Sequence, residues 1–156
     1  MADYLVYWQH YWDDKATGGY TFRPSGNWST DSKRLYDTVE SGDNLWVVVN
    51  GGSGRPNEWR LLERVKVLNR KLQRTKWGAY RIIGQKGKSP FFSLRAQPDF
   101  AAILALLQFA SGRSIKVRGS RIGQALQTYG FRKLSEGDAA LLERYAQALK
   151  APTRQS

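Results

Sequence analysis

The stretch Leu45-Trp46-Val47-Val48-Val49 constrains the fold of this chain more than any other segment. Five consecutive apolar residues leave no polar face to turn to water. They read as a strand of the core type, covered on both sides. Ser41-Gly42-Asp43 before it and Asn50-Gly-Gly-Ser-Gly54 after it are turn chemistry. With 156 residues the chain is long enough to bury a real core as one domain, expected over residues 1–150 with a polar tail at 151–156.

Further strands are predicted around this one. Tyr4–Trp8 is β-branched and aromatic, Trp59–Leu68 reads as a long strand bent by a bulge, and Tyr80–Ile83 and Phe91–Leu94 are shorter. Between them, Gln9–Gly19 reads as a loop and Tyr20–Arg23 as a short extended piece. Pro24–Thr30 reads as a turn around Trp28, Asn69–Lys76 as a basic loop and Gly84–Pro90 as a basic turn. Thr30 or Asp31 is placed to cap a helix over Ser32–Val39, with Leu35 and Val39 on one face. Later helices are predicted over Phe100–Phe109 (closed by Gly112), Ser120–Tyr129 and Ala139–Leu149. Ser135 and Asp138 form a capping box before the last, and Ile115–Val117 is a candidate strand. Strands first and helices interleaved, then appended, give an α+β class: a mixed sheet curled towards an open barrel, with packed helices.

Two absences narrow the chemistry. The chain has no cysteine and a single histidine, His10. Thiolate catalysis, iron–sulfur clusters, cysteine-bound zinc and histidine-pair ribonuclease chemistry are excluded, and no Gly-x-Ser-x-Gly elbow accompanies His10. Asp13-Asp14-Lys15 and Glu63-Arg-Val-Lys66 lack the spacing of a metal-dependent nuclease. No catalytic residue, metal or cofactor is therefore expected. The opening Met-Ala-Asp-Tyr has neither a basic nor an apolar leader region, and no apolar run reaches the roughly 20 residues of a membrane span. The expected compartment is the cytoplasm, with no membrane partner.

Charge and aromatics remain. The 25 Lys and Arg outnumber the 13 Asp and Glu, for a net +12. Residues 1–54 carry a net −3, whereas residues 55–133 carry eighteen basic and three acidic side chains. Such a block repels itself unless a polyanion covers it, and the usual polyanion is nucleic acid. Candidate phosphate contacts are Arg55, Arg60, Arg70, Lys71, Arg74, Lys76, Arg81, Lys86 and Lys88, with Lys116, Arg118 and Arg121 further on. The N-terminal part is acidic but rich in aromatic residues. Trp28, Trp12 and Trp59 sit in or beside turns, where a large aromatic has little structural reason to be, while Trp46 belongs to the core run. Strand alternation sends Tyr7 and Trp8 to opposite faces, so one cavity can use only one of them.

Gly26-Asn-Trp28-Ser-Thr, a short helix ending Leu35-Tyr-Asp-Thr-Val39, then Asp43-Asn-Leu-Trp-Val-Val-Val-Asn50-Gly-Gly-Ser-Gly and a long return strand resemble the core of YTH domains. They are similar also to the EVE domains of the same PUA-like superfamily. The resemblance spans residues 4–68; the early Tyr-Asn motif of YTH domains is absent. It implies a PUA-like fold and a reader that flips a modified, methylated base into an aromatic cage. The implied setting is DNA, or alternatively RNA, in a prokaryotic modification-dependent restriction system, with a fused or separate nuclease or translocase as partner. It implies Trp28 as a cage wall, Trp59 as a second, and Tyr7, Trp8 or Trp12 as a third. Ser29 would touch the base edge, with Asn27, Thr30 and Asn50 as further polar candidates. The competing readings are a small metal-dependent nuclease or base-modifying enzyme of the superfamily, whose amide-base branch motif Gly-x-Lys-x-x-Glu-x-Arg is missing, and an RNA-binding module indifferent to modification.

Overall fold

A computed structural model describes residues 1–18, 26–51, 55, 57–94, 97–98, 100–115, 121–127 and 131–150. The core run forms β3 (Asn44–Asn50), and its neighbours follow from which faces it must cover. β1 (Asp3–Tyr7) pairs with it in parallel, Leu5 opposite Trp46. β4 (Trp59–Thr75) pairs with it antiparallel and slips register between Val47 and Val48. β4 then continues past the end of β3 and pairs with β5 (Gly78–Gly84), which carries the short edge strand β2 (Trp28–Thr30). β6 (Arg132–Lys133) closes the other edge, antiparallel to β1. The sheet is mixed and six-stranded, in the order β2-β5-β4-β3-β1-β6.

Both faces of β1 and β3 are buried, as the uninterrupted apolar run requires. One face sends Leu5, Trp46 and Val48, with Trp59 and Leu61 of β4, against three helices: α3 (Ala101–Leu106), α4 (Arg121–Gln127) and α5 (Glu136–Lys150), through Leu104, Ile122, Leu126 and Leu142. The other sends Tyr4, Val6, Leu45, Val47 and Val49 against Tyr11 of α1 (Tyr11–Gly18) and Leu35 of α2 (Lys33–Thr38). Ile82 of β5 belongs to this second cluster although β5 lies three places from β1 in the order, so the sheet curls over this face without closing into a barrel. Among the described residues no helix is long and apolar enough to cross a membrane.

Two helix starts are where the sequence put them, one with a different cap. Ser32, rather than Thr30 or Asp31, caps α2: its Oγ accepts the Leu35 N–H at 3.1 Å, while Thr30 Oγ1 accepts the Ser32 N–H. Leu35 and Val39 are both buried. The capping box of α5 is present, with the Asp138 N–H donating to Ser135 Oγ and the Ser135 N–H to Asp138 Oδ2.

Other expectations need correcting, for a common reason: packing against distant residues overrides a weak local pattern. Residues 11–18 are helix, not loop. Tyr11 is the only buried side chain of α1, so no periodicity announces it. Trp28 begins an edge strand rather than a turn. Residues 69–75 extend β4 as one arm of a hairpin; their side chains are exposed almost throughout, so the arm lacks apolar alternation. Phe91 makes one isolated bridge to Glu63, and no strand forms over 91–94. The helix predicted over 100–109 stops at Leu107, which is extended, and Phe109 is left-handed at φ 55°. The Asp138 carboxylate takes the Gln108 and Phe109 N–H groups at 2.9 and 2.7 Å, fixing that turn. The expected features at Tyr20–Arg23, in Gly52–Gly54, at Lys116–Val117 and in the 151–156 tail lie outside the described residues.

Candidate modified-base site

The curl of the sheet brings together three tryptophans from separate elements. Trp8 follows the last residue of β1. Trp28 opens β2 and meets it edge-on at 6.3 Å between ring centroids and 87° between planes. Trp77, in the turn joining β4 to β5, meets Trp8 in the same way at 6.2 Å and 87°. Trp28 and Trp77 make no ring contact with each other. Two indoles thus stand at right angles to a third.

Asp14 of α1 organises the group. Its Oδ2 accepts the indole N–H of Trp8 and that of Trp77, each at 2.7 Å, and its Oδ1 lies 3.6 Å from Lys76 Nζ. One carboxylate therefore fixes the orientation of two rings, through hydrogen bonds of the stronger, charge-assisted kind. The hairpin tip is held from the other side by Gly78. Its φ is +147°, and a Cβ there would come within 2.2–2.5 Å of the backbone of Thr30 and Asp31. Only glycine lets the turn pass this close under β2 and present Trp77. Trp77 remains 42% exposed, whereas Trp46 and Trp59 are 0% and 1% exposed. The mouth is wet and the core is dry.

The other aromatic candidates divide between the faces as strand alternation predicts. Trp12 packs on Tyr11 at 5.1 Å and donates its indole N–H to the Asn50 carbonyl at 2.6 Å, so it lies beside the tryptophan group. Tyr11 bridges the two, edge-on to Trp8 at 5.2 Å. Tyr7 and Trp59 pair with each other at 5.0 Å on the opposite face, under the C-terminal helices. The structure brings Trp8 and Trp28 together, and does not bring Trp59 or Tyr7 to them.

The polar candidates are scattered, Asn27 and Ser29 at the β2 edge and Asn50 at the end of the interior strand β3. Asn27 Oδ1 accepts the Gly84 N–H at 2.9 Å, Ser29 pairs with Arg81 across β2 and β5, and Asn50 Nδ2 donates to the Tyr7 hydroxyl. Asn27 also lines a separate cleft of about 410 Å³ with Gln85, Lys86 and Ser89.

Behind the aromatic group lies Glu63, opposite Val47 on β4 and 1% exposed. Its Oε2 has no hydrogen-bond partner. Burial pushes its carboxyl up from 4.5 to about 8, so it is neutral through most of the physiological range. Burial, and then the charge Glu63 would carry, push the Tyr11 phenol up as well. Among the described residues no three His, Asp or Glu side chains gather into a metal-binding group.

The basic candidates separate by what they touch. Arg70 donates to the Tyr36 and Val39 carbonyls at the end of α2 and lies over the Tyr36 ring, which gives it a structural task. Arg55 and Arg60 both pair with Glu58, and Lys76 with Asp14. Lys71, Arg74, Lys86 and Lys88 are exposed and, among the described residues, make no ion pair. Arg81 is half-buried, its Nε without a partner, and stands opposite Lys71 in the β4–β5 register. Lys116 and Arg118 lie outside the described residues; Arg121 is the first residue of α4.

Trp77 and Asp14 are the two members of this site that sequence reasoning missed. The signal for Trp77 was present: Thr75-Lys76-Trp77-Gly78 places a large aromatic in a tight turn, the same argument that singles out Trp28. Asp14 carried no local signal, because its two partners are six and sixty-three residues away. A scan against protein-family models and a search of curated proteins each return no match.

Proposed function

We propose that this chain is a PUA-like reader domain that holds a flipped, modified base in nucleic acid, DNA first, without chemistry of its own. The observation that carries the reading is the right-angled arrangement of Trp28 and Trp77 about Trp8, fixed by Asp14 and open to solvent. A base is a flat π-system, and a methyl group on it is a small apolar handle that water hydrates poorly. Two walls and a floor of indole reward both, by stacking and by methyl–π contact. Flipping a base from a duplex costs a few kcal/mol. Phosphate contacts from the neighbouring hairpin offset it: Lys71 and Arg81 face each other across β4 and β5, a like-charge pair that is destabilising until an anion bridges it. The pattern that resembles YTH and EVE domains spans residues 4–68 and includes the Trp-Ser-Thr strand, the capped helix and the apolar strand in that order.

The test is competition binding at fixed salt. Duplex and single-stranded DNA and RNA would each be compared unmodified and carrying N6-methyladenine, 5-methylcytosine or 5-hydroxymethylcytosine. A preference of about tenfold, or 1.4 kcal/mol, for one modified oligonucleotide is expected. Trp28→Ala and Trp77→Ala should each abolish that preference while leaving salt-sensitive background binding. Equal binding to every oligonucleotide by the unaltered protein would reduce the tryptophan group to a packing feature.

A further inference from the structure

A second cationic site lies at the opposite edge of the sheet, along β6. A cleft of about 500 Å³ is lined by Arg34, Arg113, Arg132 and Lys133, with Phe109, Phe131 and Ser111, and among the described residues by no carboxylate. Its cations come from three separate parts of the chain: α2, the turn after α3, and β6. Two of them rest on aromatic rings. The Arg132 guanidinium lies 4.1 Å from the centre of Phe109, and that of Arg34 lies 5.5 Å from the centre of Phe131. A guanidinium stacked on a ring keeps its in-plane N–H groups at the rim, which is the geometry that grips a phosphate.

The turn beneath is built to keep this shape. Phe109 is the one described non-glycine residue at positive φ, and backbone strain of this kind persists only where surrounding contacts enforce it. Asp138 supplies the enforcement. It accepts the N–H groups of Gln108, Phe109 and Ser135 and is not among the described residues that line the cleft. The Ala110 N–H donates to the Lys133 carbonyl at 2.9 Å and ties the turn to β6.

From the cleft and the three exposed cations that line it from separate parts of the chain, Arg34, Arg113 and Lys133, we infer that the β6 edge is a phosphate-binding site that takes the phosphodiester backbone of a nucleic-acid strand. The inference rests on no property of the tryptophan group. A free phosphorylated molecule presents the same chemistry, and the test separates the two sources.

Arg34, Arg113 and Lys133 are exposed, so the triple change Arg34→Gln, Arg113→Gln, Lys133→Gln leaves the core intact, which an unchanged melting temperature checks. The probe is an unmodified single strand of roughly 12 nucleotides, titrated at several salt concentrations. Affinity should fall about tenfold, and the salt slope by about two, because each single-strand phosphate contact contributes about 0.7. Trp28→Ala should leave that slope unchanged. Modified-over-unmodified preference should survive the triple change, so failure of this site and failure of the tryptophan reading give different results. The second arm titrates pyrophosphate while following backbone amide NMR signals of Ala110 and Lys133. Shifts seen in the unaltered protein and lost in the triple variant, with oligonucleotide binding untouched, would assign the site to a free phosphorylated molecule. If neither probe distinguishes the triple variant from the unaltered protein, the proposal is overturned.

Discussion

The two faces of the sheet hold the same residue type in different surroundings. Under the C-terminal helices, Trp46 and Trp59 are sealed from water, and Trp59 has Tyr7 for a neighbour. On the curled face, Trp8, Trp28 and Trp77 meet at a rim where Trp77 is nearly half exposed, and an acid from a helix holds two of their N–H groups. Burial alone explains the first set. It does not explain Trp77, since an exposed indole at a hairpin tip gains little from packing. Where an aromatic sits relative to the curl, rather than how many aromatics the chain has, separates core from site.

The difference can be broken most severely from the dry side. Trp59→Ala should cost about 3–5 kcal/mol of stability, read by urea denaturation, because it opens a cavity in a packed core. Trp77→Ala should cost no more than about 1 kcal/mol by the same measurement. Equal losses would erase the distinction between the two sets.

A second test concerns Glu63, an acid sealed on the curled face. The folded protein keeps its proton up to about pH 8, whereas the unfolded chain releases it near 4.5. The stability associated with the neutral carboxyl is therefore complete below 4.5 and is lost progressively as pH rises to about 8. Glu63→Gln should remove this slope and be the more stable form above about pH 8, by on the order of a few kcal/mol. Parallel pH profiles of melting temperature for the two proteins would contradict it.

Asp14→Ala strips the acceptor from two indoles and should cost about 1–3 kcal/mol. Its sharper signature is local. The Trp8 and Trp77 indole N–H signals should both move in the NMR spectrum, while those of Trp46 and Trp12, which donate to Asp3 and Asn50, stay in place. Movement of only one signal would mean that the carboxylate does not tie the two rings together. The smallest expected effect belongs to Lys71→Gln: stability within about 0.5 kcal/mol of the unaltered protein, and a salt slope of nucleic-acid binding lower by about 0.7–0.9.

Much of this architecture was legible because a few residues carry strong local physics. Leu45–Val49 announced a central strand by having no polar face, Ser135 and Asp138 announced the start of α5, and the Leu35/Val39 pair announced α2. The hairpin arm at 69–75 and the helix at 11–18 stayed hidden because neither buries a periodic face; each is held by what it reaches, Thr75 opposite Gly78 and Trp12 against Asn50. The site was half legible for the same reason. Trp28 stood out in its turn and Trp8 at its strand end, but that they meet, and that Trp77 and Asp14 join them, is a product of the curl.

The position of β1 also governs time. Of the six strands β1 comes earliest in the chain, yet it lies between β3 and β6, with Tyr4 opposite both Leu45 and Lys133. One edge of β1 is satisfied once residue 50 has emerged, and the other has no partner until residues 132–133 follow. During synthesis the segment Tyr4-Leu-Val-Tyr7 therefore presents an unpaired apolar edge, the type of surface that recruits foreign strands. Completion of the sheet is a late, long-range event, and the two residues of β6, few as they are, end that exposure.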